Sequence, residues 1–310
     1  MKRFGELEYR EAGPPAAGGD IPPEVAAALL RPVGWRAAGK RFFRNRMALA
    51  GAVFLALAYL GAVFGPLVSP YSPEAIDPAE AFAPPTLRHP LGTDEHGRDV
   101  ATRLAYGARA SLTVGLLSMG LAVCLGTLLG ALSGYLGGWA DAAIMRVVDA
   151  AMALPAFFLV LTFLAVFGGG LVSVILVIGF TSWMGVARVV RSEFLRTRGR
   201  EFVEAARALG AGDLRVAVRH VLPQALPSVM VSASLGVASA ILVESALSYL
   251  GLGVQPPTPS WGNMLMNSRQ YMWTAPRLAV YPGVLILLTV LSYNFLGDGL
   301  RDALDPYLRD

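Results

Sequence analysis

Six stretches of this chain run for nineteen residues or more with almost no charge: Met47–Ser69, Ser111–Leu136, Val147–Phe167, Leu171–Val190, Leu226–Leu250 and Leu278–Leu296. At 1.5 Å rise per residue, about 20 residues of helix cross a hydrocarbon layer about 30 Å thick. Inside that layer each backbone N–H and C=O must find its partner within the protein, and a helix does this within one segment. The expected fold is therefore all-α, a polytopic membrane protein with about six transmembrane helices. Composition agrees, with 55% hydrophobic and 15% charged residues against about 25% charged in a soluble domain.

The chain divides accordingly. Residues 1–46 form an N-terminal tail with a basic juxtamembrane end, 47–69 a first span, 70–110 a loop, 111–297 a core of five spans with a long loop at 191–225, and 298–310 a C-terminal tail. Met1–Gly19 lacks the apolar run of a secretory signal peptide. Residues 1–30, rich in Pro, Gly, Ala and Glu, read as a mobile tail. Arg31 to Arg46 sets six basic residues among Trp35, Phe42 and Phe43, which suits anionic lipid headgroups. The single cysteine, Cys124, excludes a disulfide framework and a cysteine metal site.

Basic residues orient the spans. With the N-terminus inside, the inner segments hold nine, one, eight and two Lys or Arg, and the outer segments four, none and two: twenty against six. Both termini are thus expected in the cytoplasm, and the net charge of +4 reports topology rather than nucleic-acid binding. Three features mark the spans themselves. Gly126, Gly130 and Gly134 recur every four residues, a spacing that lets helices approach closely. Glu244 and Asp149 are carboxylates within or at the edge of apolar runs, where such groups are costly and candidates for a substrate pathway. A helix–helix hydrogen bond for Glu244, near the outer mouth, and an ion pair of Asp149 with Arg146 are the structural alternatives.

The 188–225 loop carries the densest pattern. Glu201–Leu209 reads as a short helix with Phe202, Ala206 and Leu209 on one stripe, Gly210 as its left-handed cap, and Asp213 as the N-cap of a second helix. There Leu214, Val218 and Val221 share a face, and Pro223 is expected to end the helix. A pair this short must dock on something to be stable.

The string EAARALGAGDLRVAVRHVLP at 204–223 resembles the EAA loop of importer-type ABC permeases: E-A-A, three residues, G, nine residues, an aliphatic position, one variable residue, then L-P. Glu204, Ala205, Ala206, Gly210, Leu222 and Pro223 fill the fixed places, and His220 stands where the aliphatic residue is usual. HPLGTDEHGRDVATRLAYGARASL (89–112) and NFLGDGLRDALDP (294–306) are similar to segments of the dipeptide/oligopeptide/nickel group, and point to its "C"-type permease. The resemblance covers about residues 30–310. It implies a type I ABC importer permease fold in the cell inner or plasma membrane. It also implies a second homologous permease, two cytoplasmic ABC ATPases and an external substrate-binding protein as partners. The residues Glu204, Ala205, Ala206, Gly210, Leu214, His220, Leu222 and Pro223 would then contact an ATPase groove and carry its motion to the spans. Di- or oligopeptides are the commonest cargo of the group, with nickel, other metal chelates and oligosaccharides as alternatives.

Two local patterns are set aside. Gly34 to Arg41 approaches a P-loop, but Arg41 replaces the Mg²⁺-binding hydroxyl and no strand precedes it. His89 and His96 flank Asp94-Glu95 without a ligand spacing and read as a solvated turn or short amphipathic helix. No cofactor, metal or catalytic residue is expected. A secondary transporter or channel would leave the long loop unexplained. An intramembrane enzyme would need catalytic residues in the spans, and none of the three histidines lies in one.

Overall fold

A computed structural model describes residues 35–304. The expected tail at 1–30, the start of the basic segment at Arg31, Gly34 and the last six residues lie outside the described residues. Helix α1 (Trp35–Arg44) ends at Asn45, whose side chain accepts hydrogen bonds from the backbone N–H of Met47 at 3.1 Å and Ala48 at 3.2 Å. That cap starts α2 (Arg46–Val68), the first span.

Four further runs are long and apolar enough to cross a membrane: α3 (Val100–Leu136), α6 (Leu171–Thr197), the stretch Asp213–Tyr249 and α11 (Arg277–Leu304). Between α3 and α6 lie α4 (Gly138–Met152) and α5 (Ala156–Phe167), which make a sixth span only as a pair bent by 83°. The expected single span at 147–167 is corrected here. Pro155 has no N–H to donate and forces Leu154 out of the helical region, so the helix breaks in front of it.

Other boundaries also move. Helix α3 starts eleven residues before Ser111, inside the expected loop, because Asp99 accepts from the Thr102 N–H at 2.7 Å and caps it there. Helix α11 continues through Leu304, so the first part of the expected C-terminal tail is helical.

Packing follows the small residues. A Cβ added at Gly126, Gly130 or Gly134 would come within 2.6, 2.5 and 2.6 Å of Val186, Ala187 and Phe194, so α3 and α6 lie backbone to backbone along this stripe. On the other side, Gly51 of α2 lies against Ser292 of α11, and the Tyr59 and Tyr293 hydroxyls share a hydrogen bond of 2.6 Å.

The segment 69–99 forms a folded cap at one end; the expected solvated turn is present at 95–97 with His96 exposed, but His89 is drawn inside. His89, Thr93, Asp94, Asp99 and Arg103 are all buried. His89 bridges Glu80 at 2.7 Å and Asp99 at 2.9 Å. Asp94, Glu95 and His96 come within reach of one another, but Arg98 binds Asp94 at 2.7 Å and Glu95 at 3.0 Å, and Arg103 lies 3.3 Å from Asp94. Guanidinium groups occupy the carboxylates that a cation would need.

Candidate functional site

The most developed surface feature is an elbow between α6 and the fifth span. Helix α6 runs past Val190 to Thr197, and Arg198 donates to the carbonyls of Gly134 at 3.1 Å and Tyr135 at 3.4 Å, closing the C-terminal end of α3. Helix α7 (Glu201–Ala208) then stops at Gly210, whose φ of +83° is the left-handed value expected from the sequence. The Ala211 N–H donates to the Ala206 carbonyl at 3.0 Å and the Gly210 N–H to the Arg207 carbonyl at 2.9 Å. This double closure is a Schellman motif, and it fixes the angle at which the chain leaves the helix.

After Gly212 come α8 (Asp213–Val216), a π-helical turn (Ala217–Val221) and α9 (Leu222–Tyr249) without interruption. Pro223 therefore does not end the second helix. It sits in the first turn of α9, where its missing N–H costs little, and the wider π turn before it accommodates the ring. Asp213 is not the cap either: Gly212 holds that place, and the Asp213 carboxylate accepts from the Tyr135 hydroxyl at 2.7 Å. Arg207 donates to the same hydroxyl at 3.3 Å and lies 5.7 Å from the centre of the Tyr135 ring. That hydrogen bond pushes the Arg207 guanidinium above its ordinary pKa. Tyr135 thus pins both arms of the elbow to the end of α3, a role no local pattern in the sequence disclosed.

The faces divide differently from the expected stripes. Val203, Ala206, Val216 and Val221 are buried and join Val190 and Phe194 of α6 in the core. Phe202, Leu209, Leu214 and Val218 point outward, with Leu209 90% and Leu214 79% exposed. Each predicted stripe mixed the two faces, because the inner face must meet the ends of α3 and α6. Of the sequence-selected residues, Glu204, Ala205, Gly210, Leu214 and Pro223 lie on the exposed side, Ala206 on the buried side, and His220 and Leu222 between them.

Glu244 and Asp149 lie elsewhere and share no partner. Glu244 is 0% exposed. Its carboxylate accepts from the hydroxyls of Ser111 at 3.0 Å, Ser248 at 2.7 Å and Ser245 at 3.4 Å. Ser111 also accepts from the Trp261 N–H at 3.2 Å, tying α3 and α9 to α10 (Trp261–Ser268). The carboxylate faces no open surface of this subunit, and it makes the helix–helix hydrogen bond that was its structural alternative. Ser248, four residues on, was within reach of sequence reasoning; Ser111 was not. Asp149 pairs with Arg188 of α6 at 2.5 Å rather than with Arg146. The packing of α4 beside α6 brings Arg188 to Asp149, a neighbour across helices that the i−3 spacing does not disclose.

An all-helical, multi-spanning subunit with a rigid, outwardly apolar elbow is the architecture of a membrane permease of the ABC importer class. The chain belongs to the family of binding-protein-dependent transport system inner membrane components, which it matches over residues 126–310, with the N-terminal transmembrane domain of oligopeptide transport permease C matched over 35–85. It is 40% identical over 288 residues to the dipeptide transport system permease of Alkalihalophilus pseudofirmus, covering 93% of this chain and 94% of that one. It is also 40% identical to the glutathione transport system permease of Pectobacterium atrosepticum over 276 residues, 89% of this chain and 92% of the other. The oligopeptide transport system permease of Haemophilus influenzae matches at 40% over 274 residues, 88% of each. An inward-facing structure of the MetNI methionine ABC transporter shares the fold, with a TM-score of 0.53 at 19% identity over 64% of this chain and 94% of that one. The family is one of membrane-embedded, non-catalytic subunits that work with ATPase and binding-protein partners.

Proposed function

We propose that this subunit forms half of a translocation pore for di- or oligopeptides, paired with a second homologous permease and loaded by an external binding protein. Two cytoplasmic ATPases drive it through the elbow at 204–223. The observation that carries this reading is the division of the elbow's faces: its inner side is fused to the core, while four large apolar side chains face outward on a segment rich in arginine. An aqueous surface of that kind awaits a protein partner. A rigid element joined to both α6 and α9 passes any displacement of its outer face to two spans at once. Glu204 adds a fixed negative charge to that face, and Gly210 sets its angle. Relatives that carry dipeptide, oligopeptide and glutathione in their names support a peptide cargo.

The test uses the reconstituted complex. Glu204→Lys, Gly210→Val and Leu209→Asp leave insertion and pairing with the second permease intact and reduce peptide-stimulated ATP hydrolysis and uptake together, by at least tenfold. At Gly210 the cost is conformational, about 1–2 kcal/mol for a β-branched residue in the left-handed region. Undiminished coupled uptake in all three variants, at normal subunit stoichiometry, would overturn the elbow's role.

A further inference from the structure

The break between α4 and α5 exposes polar groups at a depth where lipid does not tolerate them. Helix α5 has 12 residues and rises about 18 Å from the turn at 168–170. The bend at 153–155 therefore lies inside a hydrocarbon layer about 30 Å thick. Ala153, Leu154 and Pro155 are exposed there, and backbone freed from helical bonding at that depth has to be buried in protein or face water. One turn before the bend, Asp149 takes its hydrogen bond of 2.5 Å from Arg188, and the two side chains are 59% and 47% exposed. Measured along α6, Arg188 lies seventeen residues from Leu171, about 25 Å. Both helices put the ion pair in the inner part of the layer. A half-exposed guanidinium and carboxylate at this depth suit a polar passage better than acyl chains.

A second pair between the same helices sharpens the contrast. Arg191 grips Asp141 with two bonds, of 2.5 and 2.7 Å, and the Ser133 hydroxyl donates to the same carboxylate. That pair is the more enclosed of the two and acts as a strut. Arg188 and Asp149 are joined by a single bond at a more open place, so each has donor or acceptor capacity left for a ligand. We infer that Arg188 and Asp149 line the passage and exchange their mutual contact for the charged ends of a zwitterionic cargo, the guanidinium taking a free carboxylate and Asp149 an ammonium. A ligand with both charges satisfies both groups, whereas one with a single charge leaves the other group unpaired at low dielectric. This rests on the peptide reading above.

Two measurements on the whole complex test it. In lipid nanodiscs, with Cys124→Ser as background, Ala153→Cys and Gly185→Cys leave the ion pair in place; Gly185 has open space around it and lies one turn from Arg188. Both cysteines are expected to react with charged methanethiosulfonates within tenfold of the rate at Leu209→Cys, while Leu57→Cys in α2 stays unreactive. In proteoliposomes, with trialanine, its C-terminal amide and its N-acetyl form each loaded to saturation on the binding protein, Arg188→Gln lowers the preference for trialanine over the amide at least tenfold. Asp149→Asn does the same for trialanine over the acetylated form. If the neutral variants fail to assemble, the exchanged pair Arg188→Asp with Asp149→Arg is expected to keep the preference for trialanine over both capped forms, and equal uptake of all three would overturn the inference. Cysteines as inert as the one at Leu57, or preferences unchanged in both neutral variants, would also overturn it while leaving the peptide reading in place. No uptake of any peptide by the unaltered complex would instead remove that reading, and the cargo assignment with it.

Discussion

A single buried carboxylate separates packing from transport at the residue scale. Glu244 is enclosed by hydroxyls from α3 and α9, and removing it strands those donors. A buried polar group left without a partner costs about 1–3 kcal/mol, so Glu244→Ala, which also opens a cavity, is expected to lower the thermal unfolding midpoint of the detergent-solubilised subunit well below that of Glu244→Gln. The glutamine keeps the volume and one acceptor. If Glu244 serves to hold helices together, cargo preference stays the same in Glu244→Gln complexes, and a changed preference among peptides would return the residue to the pathway. The sequence showed that a carboxylate in a span demands an explanation. It could not show Ser111, because a contact across 133 residues leaves no local periodicity. Asp149 makes the same point: its neighbour at i−3 was visible, but the partner it takes lies on another helix.

Helices as whole elements were the most legible part of the chain, and their interruptions the least. Uncharged length announces a span, and Gly210 announces the elbow's corner through its spacing from the helix before it. The π turn at 217–221 has no such marker, whereas the early start of α3 rests on a local one, its Asp99 cap. The glycine stripe of α3 supplies a contrast within one element. At Gly130 a Cβ would meet the Ala187 carbonyl oxygen at 2.5 Å and Val190 at 2.9 Å, whereas at Gly120 nothing lies within 4 Å. Gly130→Leu has to drive α3 and α6 apart and is expected to destabilise by about 3 kcal/mol, the upper end for overpacking. Gly120→Ala is expected to be neutral. Unfolding of both variants in detergent, followed by tryptophan fluorescence, measures the difference; equal midpoints would mean that the α3–α6 contact contributes little.

At the scale of the whole molecule, the charge count argues for one orientation, and the elbow's proposed role stands on it. Twenty basic residues fall in the segments placed inside and six in those placed outside, and short loops with many Lys or Arg stay in the cytoplasm. Counted with the bent pair as one crossing, the helices give an even total that agrees with that arrangement, putting Trp35, Leu304 and the elbow between the fourth and fifth spans on one side. The folded cap at 69–99 and the loop at 250–277 then occupy the opposite side, beside each other, where Arg277 donates to the Phe82 carbonyl at 2.8 Å. That contact is an independent check, since two loops on opposite faces could not touch. In a Cys124→Ser background, single cysteines at Leu87 and Trp273, both almost fully exposed, are expected to react in intact cells with a maleimide that cannot cross the membrane. Cysteines at Arg200 and Leu209 are expected to react only after the cells are opened. The reverse pattern would place the elbow outside the cell, away from any ATP-driven partner, and would overturn the coupling role together with the orientation. Labelling at Leu87 and Leu209 from the same side would go further, requiring an even number of crossings between them and hence a bent α4–α5 pair that enters and leaves by one face.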